Sequence, residues 1–182
     1  MRKVSGVFIA AVFFVCSALG GAAYADSAEV LDTKVQATLK IFEETKGSDA
    51  VLKEAKGLLV FPSIKKAGFG IGGEYGEGAL IVDGKTVDYY NTVTLSFGFQ
   101  IGVQAKSVIL AFMTDKALKN FENAEGWEVG VDASVAVITV GANGSLDTTV
   151  TNKPIIAFVF DQKGLMYNLT LEGAKMSKID KD

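Results

Sequence analysis

The chain has 182 residues, no histidine, one cysteine and a formal net charge of −3. Without imidazole it lacks the commonest general base and the commonest zinc ligand, and a uniformly acidic chain is not built to wrap nucleic acid. Its length is that of one domain, enough to bury a core without disulfide or metal staples.

The first 25 residues read as a signal peptide. Arg2 and Lys3 precede an apolar run over residues 7–15, too short to span a bilayer, and Ala23-Tyr24-Ala25 supplies a small-x-small cleavage site. The pattern predicts cleavage near Ala25, a single mature domain over residues 26–182, and a periplasmic or secreted location. Lipidation of Cys16 is the less favoured route, because bulky Val15 precedes it. Cleavage after Ala25 removes the only cysteine and with it any disulfide or thiolate chemistry. It leaves 16 basic residues against 21 acidic ones, a net charge of −5.

In the mature part, Ala28, Leu31, Val35, Leu39 and Phe42 recur at three and four residues, which predicts an amphipathic helix over residues 27–46. Ser48 and Asp49 suit the cap of a second, short helix running to Lys56, with Gly57 at its C′ position. Strand grammar begins at Gly57. A short apolar run over residues 58–61 should end at Pro62. Val93, Leu95, Phe97, Phe99, Ile101 and Val103 alternate with small or polar residues, predicting one strand with one buried face. Residues 108–113 and 155–160 are apolar on both faces and should be central strands covered on both sides. Residues 129–140 begin by alternating and then turn apolar, and Leu165, Tyr167, Leu169 and Leu171 alternate again. Asp83-Gly84 and Asn143-Gly144 are tight hairpin signals, and residues 161–164 suit a four-residue loop. Residues 115–123 suit a helix with Ala117, Leu118 and Phe121 facing inward. The expected class is α+β: a large antiparallel sheet, curled toward a barrel, with an N-terminal amphipathic helix and short flanking helices.

The glycines Gly68, Gly70, Gly72, Gly73, Gly76 and Gly78 crowd eleven residues. Positions 68, 70 and 73 spell G-x-G-x-x-G, but a strand follows where a dinucleotide site needs a helix. In an extended segment Gly68, Gly70, Gly72, Gly76 and Gly78 share one side with Glu74, and a bare face lets another backbone or a ligand come close. Gly84-Lys85-Thr86 resembles the end of a phosphate loop at the wrong spacing and is better read as a hairpin. Ser63 and Lys66 make an S-x-x-K without its S-D-N and K-T-G companions. Glu74 and Glu77, at odd spacing in a strand, should point to opposite faces rather than form a carboxylate pair. Asp132 and Glu172 are expected in hydrogen bonds or facing solvent. No catalytic residue, cofactor or metal is called for. Two lysine groups suit a lipid headgroup: the C-terminal Lys175, Lys178 and Lys181, diluted by acidic neighbours, and Lys65-Lys66, flanked by Phe61 and Phe69. Phe61, Lys65, Lys66, Phe69 and Tyr75 are the candidate lipid-binding residues.

Five segments in order resemble the SYLF domain, a family of lipid-binding modules: Ala55-Lys56-Gly57-Leu58-Leu59-Val60-Phe61-Pro62; Ala67-Gly68-Phe69-Gly70-Ile71-Gly72-Gly73-Glu74-Tyr75-Gly76-Glu77-Gly78; Ser96-Phe97-Gly98-Phe99-Gln100-Ile101-Gly102-Val103-Gln104; Asp132-Ala133-Ser134-Val135-Ala136; and Lys163-Gly164-Leu165 leading to Leu171-Glu172-Gly173. The resemblance implies that Gly68, Gly70, Gly72, Gly73, Gly76, Gly78, Gly98 and Gly102 are structural motif positions. Eukaryotic members bind phosphoinositide membranes and, in some cases, actin; bacterial members are mostly small exported proteins. The chain departs from the family pattern at Thr86-Val87-Asp88-Tyr89-Tyr90 and at Val159-Phe160. The helix over residues 27–46 mixes Lys34, Lys40 and Lys46 with Glu29, Asp32, Glu43 and Glu44, which suits packing on the sheet better than seeking a membrane. The implied function is a periplasmic lipid- or membrane-surface-binding module without catalytic activity, its partner an anionic phospholipid. An envelope accessory protein that binds other proteins through a strand edge or the polar Gln100 and Gln104 face is the alternative, with an outer-membrane barrel and a hydrolase further behind.

Overall fold

The computed structural model describes residues 26–69, 71–97, 102–140, 153–163 and 171–182. Three helices are described: α1 (Ala28–Glu43), α2 (Ser48–Glu54) and α3 (Asp115–Glu122). They flank an eight-stranded sheet of β1 (Gly57–Phe69), β2 (Ile71–Val82), β3 (Lys85–Phe97), β4 (Gly102–Phe112), β5 (Trp127–Glu128), β6 (Ala136–Thr139), β7 (Ile155–Lys163) and β8 (Lys175–Ile179). The strand order is β5-β8-β3-β2-β1-β4-β7-β6, and the sheet curls as a half-barrel. Every described pairing between these strands is antiparallel except β6 with β7, which is parallel. The expected α+β class and barrel-like sheet are therefore present, with one parallel edge added.

Both faces of the sheet are covered. On one side α1 lays Leu31, Val35, Leu39 and Phe42 onto Val60, Ala79, Ile81, Ile109, Ile156, Phe158 and Phe160. The Phe42 ring sits 4.9 Å from that of Phe158 and 6.1 Å from that of Phe160. On the other side α3 and the segments near Trp127 and Leu171 cover Leu59, Phe61, Leu80, Val108, Leu110, Phe112, Ala157 and Val159. Phe121 of α3 centres an aromatic group with Tyr90, Phe112 and Trp127. β4 and β7 are buried on both faces for this reason, as their unbroken apolar runs predict.

Local chemistry sets the element ends. The Ser27 side chain accepts from the Val30 N–H, and Thr114 does the same for Ala117 at the start of α3. α1 stops at Glu43, three residues short of the predicted end. Gly47, at φ 94°, precedes α2, so Ser48 is its first residue rather than its cap. The Ser48 hydroxyl is buried and faces the Glu43 and Thr45 carbonyls at 3.1 and 2.7 Å, joining the two helices. Gly57 is not a helix C′ residue either: it opens β1, where an added Cβ would lie 2.9 Å from Leu118 of α3. Asp83 (φ 50°) and Gly84 (φ 73°) form the expected tight turn between β2 and β3.

Three strand predictions change. β1 runs straight through Pro62, because the ladder is interrupted there by a register shift against both β2 and β4, and a bulge tolerates the missing N–H. The alternating run from Val93 to Gln104 belongs to two strands, β3 and β4, which are not neighbours: β2 and β1 lie between them. Only Ala136–Thr139 of residues 129–140 is a strand, because Gly130 (φ 89°) and an Asp132 carboxylate accepting from the Glu128 N–H at 2.6 Å make a turn instead. β7 continues to Lys163, into the predicted loop. The Asn143-Gly144 hairpin and the alternation at residues 165–169 lie outside the described residues.

Candidate functional site

Cross-strand register determines which side chains share the α1 side of the sheet. Three rows cross these strands: Ser63, Glu77 and Asn91; then Lys65, Tyr75 and Val93; then Gly73 and Leu95. Helix α1 covers the sheet up to the first row and stops. Past its edge the strands leave Tyr75 48%, Val93 42% and Leu95 73% exposed. Between this apolar floor and the helix wall of Leu31, Lys34, Ala37 and Thr38 lies a groove of about 1050 Å³. Val30 and Ile41, on the same helix stripe as Lys34 and Ala37, are also exposed.

Polar contacts hold the groove's walls together. Thr86 and Tyr89 of β3 each donate a hydroxyl to the Asp32 carboxylate at 3.0 Å, fixing α1 over the sheet. Lys34 binds both carboxylate oxygens of Asp26 at 2.8 and 2.7 Å. The nearly buried Lys181 ammonium donates to the Asp26 carbonyl at 2.6 Å and to Glu77 Oε2 at 2.5 Å. Tyr75 donates its hydroxyl to Glu77 Oε1 at 2.7 Å. Desolvation first, and then the hydrogen bond and charge of Glu77, push the Tyr75 phenol up to about 12. It therefore remains a neutral donor across the physiological range.

These pairs leave one cation over. Asp26 is matched by Lys34 and Glu77 by Lys181. Glu74 lines the groove but turns its carboxylate to the opposite face, where Lys106 and Lys66 reach it at 2.7 and 3.5 Å. Lys65 is exposed on the groove, directly opposite Tyr75, with no ion pair among the described residues. An apolar floor beside one uncompensated ammonium is complementary to an anionic amphiphile.

The sequence-derived candidates separate accordingly. Lys65 and Tyr75 come together on the groove. Lys66 does not join them, since adjacent strand residues face opposite ways. Phe61 is fully buried beneath α3's side of the sheet, among the inner residues of β1 and β4, and presents no ring to a membrane. The backbone of Phe69 pairs with Ile71 at the β1–β2 hairpin; its side chain lies outside the described residues, as do Gly70 and Gly98. Gly68 pairs with Gly72 and with Gly102. Gly76 and Gly78 lie against the β1 bulge, where a Cβ on Gly76 would sit 2.8 Å from Ile64, and one on Gly78 would collide with the Val60 carbonyl and the Phe61 ring. Ser63 faces the groove and Lys66 the other side, so S-x-x-K forms no dyad. Glu74 and Glu77 diverge as their spacing requires. Asp132 and Glu172 are exposed at turns. Lys178 pairs with Asp88 at 2.6 Å.

Val93 and Leu95 were expected in the core, and the wall residues Lys34 and Ala37 drew no functional expectation; Lys181, one of the C-terminal lysines weighed for a headgroup, is instead taken up by Glu77. No local signal marks this strip, because it depends on where α1 crosses the sheet: the helix runs from Asp32 on Thr86 and Tyr89 of β3 to Phe42 on Phe158 and Phe160 of β7, across the strands rather than along them. Among the described residues no group of acidic side chains is arranged to hold a metal, and no helix is long and apolar enough to cross a membrane.

Residues 93–182 match the family model described as Ysc84, Las17-binding protein actin regulator. The chain is also similar to SH3 domain-containing YSC84-like protein 1 from Pongo abelii, at 27% identity over 129 residues, covering 68% of this chain and 37% of that protein. The Rattus norvegicus and Homo sapiens counterparts are 27% and 26% identical over the same length. The chain thus spans little more than a third of the length of these relatives.

Proposed function

Because the chain belongs, through residues 93–182, to the Ysc84 (SYLF-domain) family, we propose that it is a binding module without catalytic activity whose target is the anionic lipid of a membrane surface. We place that module outside the cytoplasm, released near Ala25. The family is one of binding and regulatory domains. The observation that carries the lipid reading is the groove: Tyr75, Val93 and Leu95 exposed together beside the Lys65 ammonium, which has no ion pair among the described residues. Apolar contact supplies the short-range attraction, and the single cation selects the sign of the headgroup. Because the whole chain is acidic, long-range steering toward an anionic surface is weak and contact at the groove must dominate.

Vesicle flotation tests this. The protein should float with phosphatidylglycerol vesicles and much less with phosphatidylcholine. Lys65→Glu should weaken the first interaction about thirtyfold, since each lysine near an anionic surface contributes about 1 kcal/mol and the change reverses one charge. Equal, negligible flotation with both lipids would overturn the reading.

The family description as Las17-binding supports a second reading, in which the same exposed strip receives a segment of another protein. Retention of envelope proteins by the wild type and not by Lys65→Glu, without any vesicle binding, would favour it.

A further inference from the structure

Three glycines of β2 are in surroundings that can be compared directly. At Gly76 and Gly78 the neighbouring backbone of β1 leaves no room for a Cβ, so packing alone accounts for them. Gly73 differs. Its φ is not in the left-handed region, and the nearest atom to an added Cβ is the Thr94 carbonyl oxygen at 3.6 Å, an ordinary contact. The fold would accept a side chain there, and a strand interior ordinarily gains from one. What the missing side chain leaves open is the groove, which Gly73 lines beside Leu95 and one row beyond Tyr75 and Val93.

We propose that Gly73 is the specificity-determining floor of the groove, and that its bare backbone makes a slot for the single extended hydrocarbon chain of a monoacyl anionic lipid whose head lies at Lys65. Same-face residues along a strand are about 7 Å apart, so one missing side chain opens a gap about one hydrocarbon chain wide. Ala37 and Thr38 of α1 form the wall on the helix side of the groove, while Val93 and Leu95 line it on β3. The charge arithmetic of the groove favours an anionic head, because Lys65 is the lining cation that the described acidic residues leave unmatched. The inference rests on the lipid reading of this groove and narrows it from adhesion to a surface to capture of one chain.

The test is titration of the full chain with palmitoyl lysophosphatidylglycerol below its micellar concentration, read by calorimetry and native mass spectrometry, with glycerophosphoglycerol as the chainless control. The expected result is a one-to-one complex with the monoacyl lipid and none with the control. Gly73→Leu should weaken that complex at least tenfold and Gly73→Ala by less, neither with a lowered melting temperature. If Gly73→Leu does not fold, Ala37→Trp, on the exposed helix wall, narrows the same groove from the helix side and should weaken binding likewise. Wild-type affinity in a folded Gly73→Leu or Ala37→Trp overturns the slot. So does vesicle binding without any one-to-one complex, which leaves the lipid reading standing; loss of both overturns the two together. Binding of the chainless control as tight as that of the lipid would also overturn it, assigning the site to a free phosphodiester.

Discussion

At Gly78 an added Cβ would meet the Val60 carbonyl and the Phe61 ring, and at Gly76 it would meet Ile64 and the Ser63 carbonyl, so both positions are closed by the backbone of β1. Gly73, on the same strand, has open space. The contrast makes a stability prediction. Gly78→Ala should cost at least about 2 kcal/mol, because the collision is with main chain that cannot rotate away. Gly73→Ala should be neutral or stabilise by up to about 1 kcal/mol. Urea denaturation of the two variants measures both, and similar losses would mean that Gly73 too is held by packing. The adjacent lysines make the same point about environment. Lys65 is exposed on the groove, whereas Lys66, one residue on, is nearly buried against Glu74.

Helix α1 shapes the groove by where it ends. Its four apolar anchors hold it on β1, β2, β4 and β7, and Phe42 seats the C-terminal end between Phe158 and Phe160. Phe42→Ala should therefore cost about 3–5 kcal/mol, with the loss visible in thermal unfolding. A loss below 1 kcal/mol would show that the helix is only loosely seated. The helix stripe, the two-sided apolar runs of β4 and β7, the Asp83-Gly84 turn and the inward face of α3 were all legible from residue order, because each depends on local periodicity or turn chemistry. The fate of β3 was not. Alternation reports that one face is apolar; it does not report whether another element covers it, and α1 crosses the strands away from Leu95. Pro62 within β1 was missed because its bulge depends on both neighbouring strands. The turn at Gly130 was missed because Asp132 folds back onto the Glu128 N–H rather than extending the strand. Of the candidate site, Lys65 and Tyr75 could be found and Phe61 could not be excluded, since strand parity through a bulge is invisible before the register is known.

At the scale of the whole molecule, a curled sheet is covered on both faces for most of its length and bared on one face past the edge of α1. The two ends of the described chain meet beside that bare region: Lys181 reaches the Asp26 carbonyl and Glu77, the Ala28 N–H donates to the Asp182 carbonyl, and Glu77 in turn accepts from Tyr75. The groove is thus braced from the tail as well as from the helix, as a preorganised binding surface requires. The central claim is that this face is the binding surface. Amide chemical-shift mapping during titration with the monoacyl anionic lipid tests it most directly. The account predicts shifts concentrated at Lys34, Lys65, Gly73, Tyr75, Val93 and Leu95, with β5, α3 and the Trp127 indole unmoved. Shifts centred on α3 and Trp127, or none at saturating lipid, would contradict it.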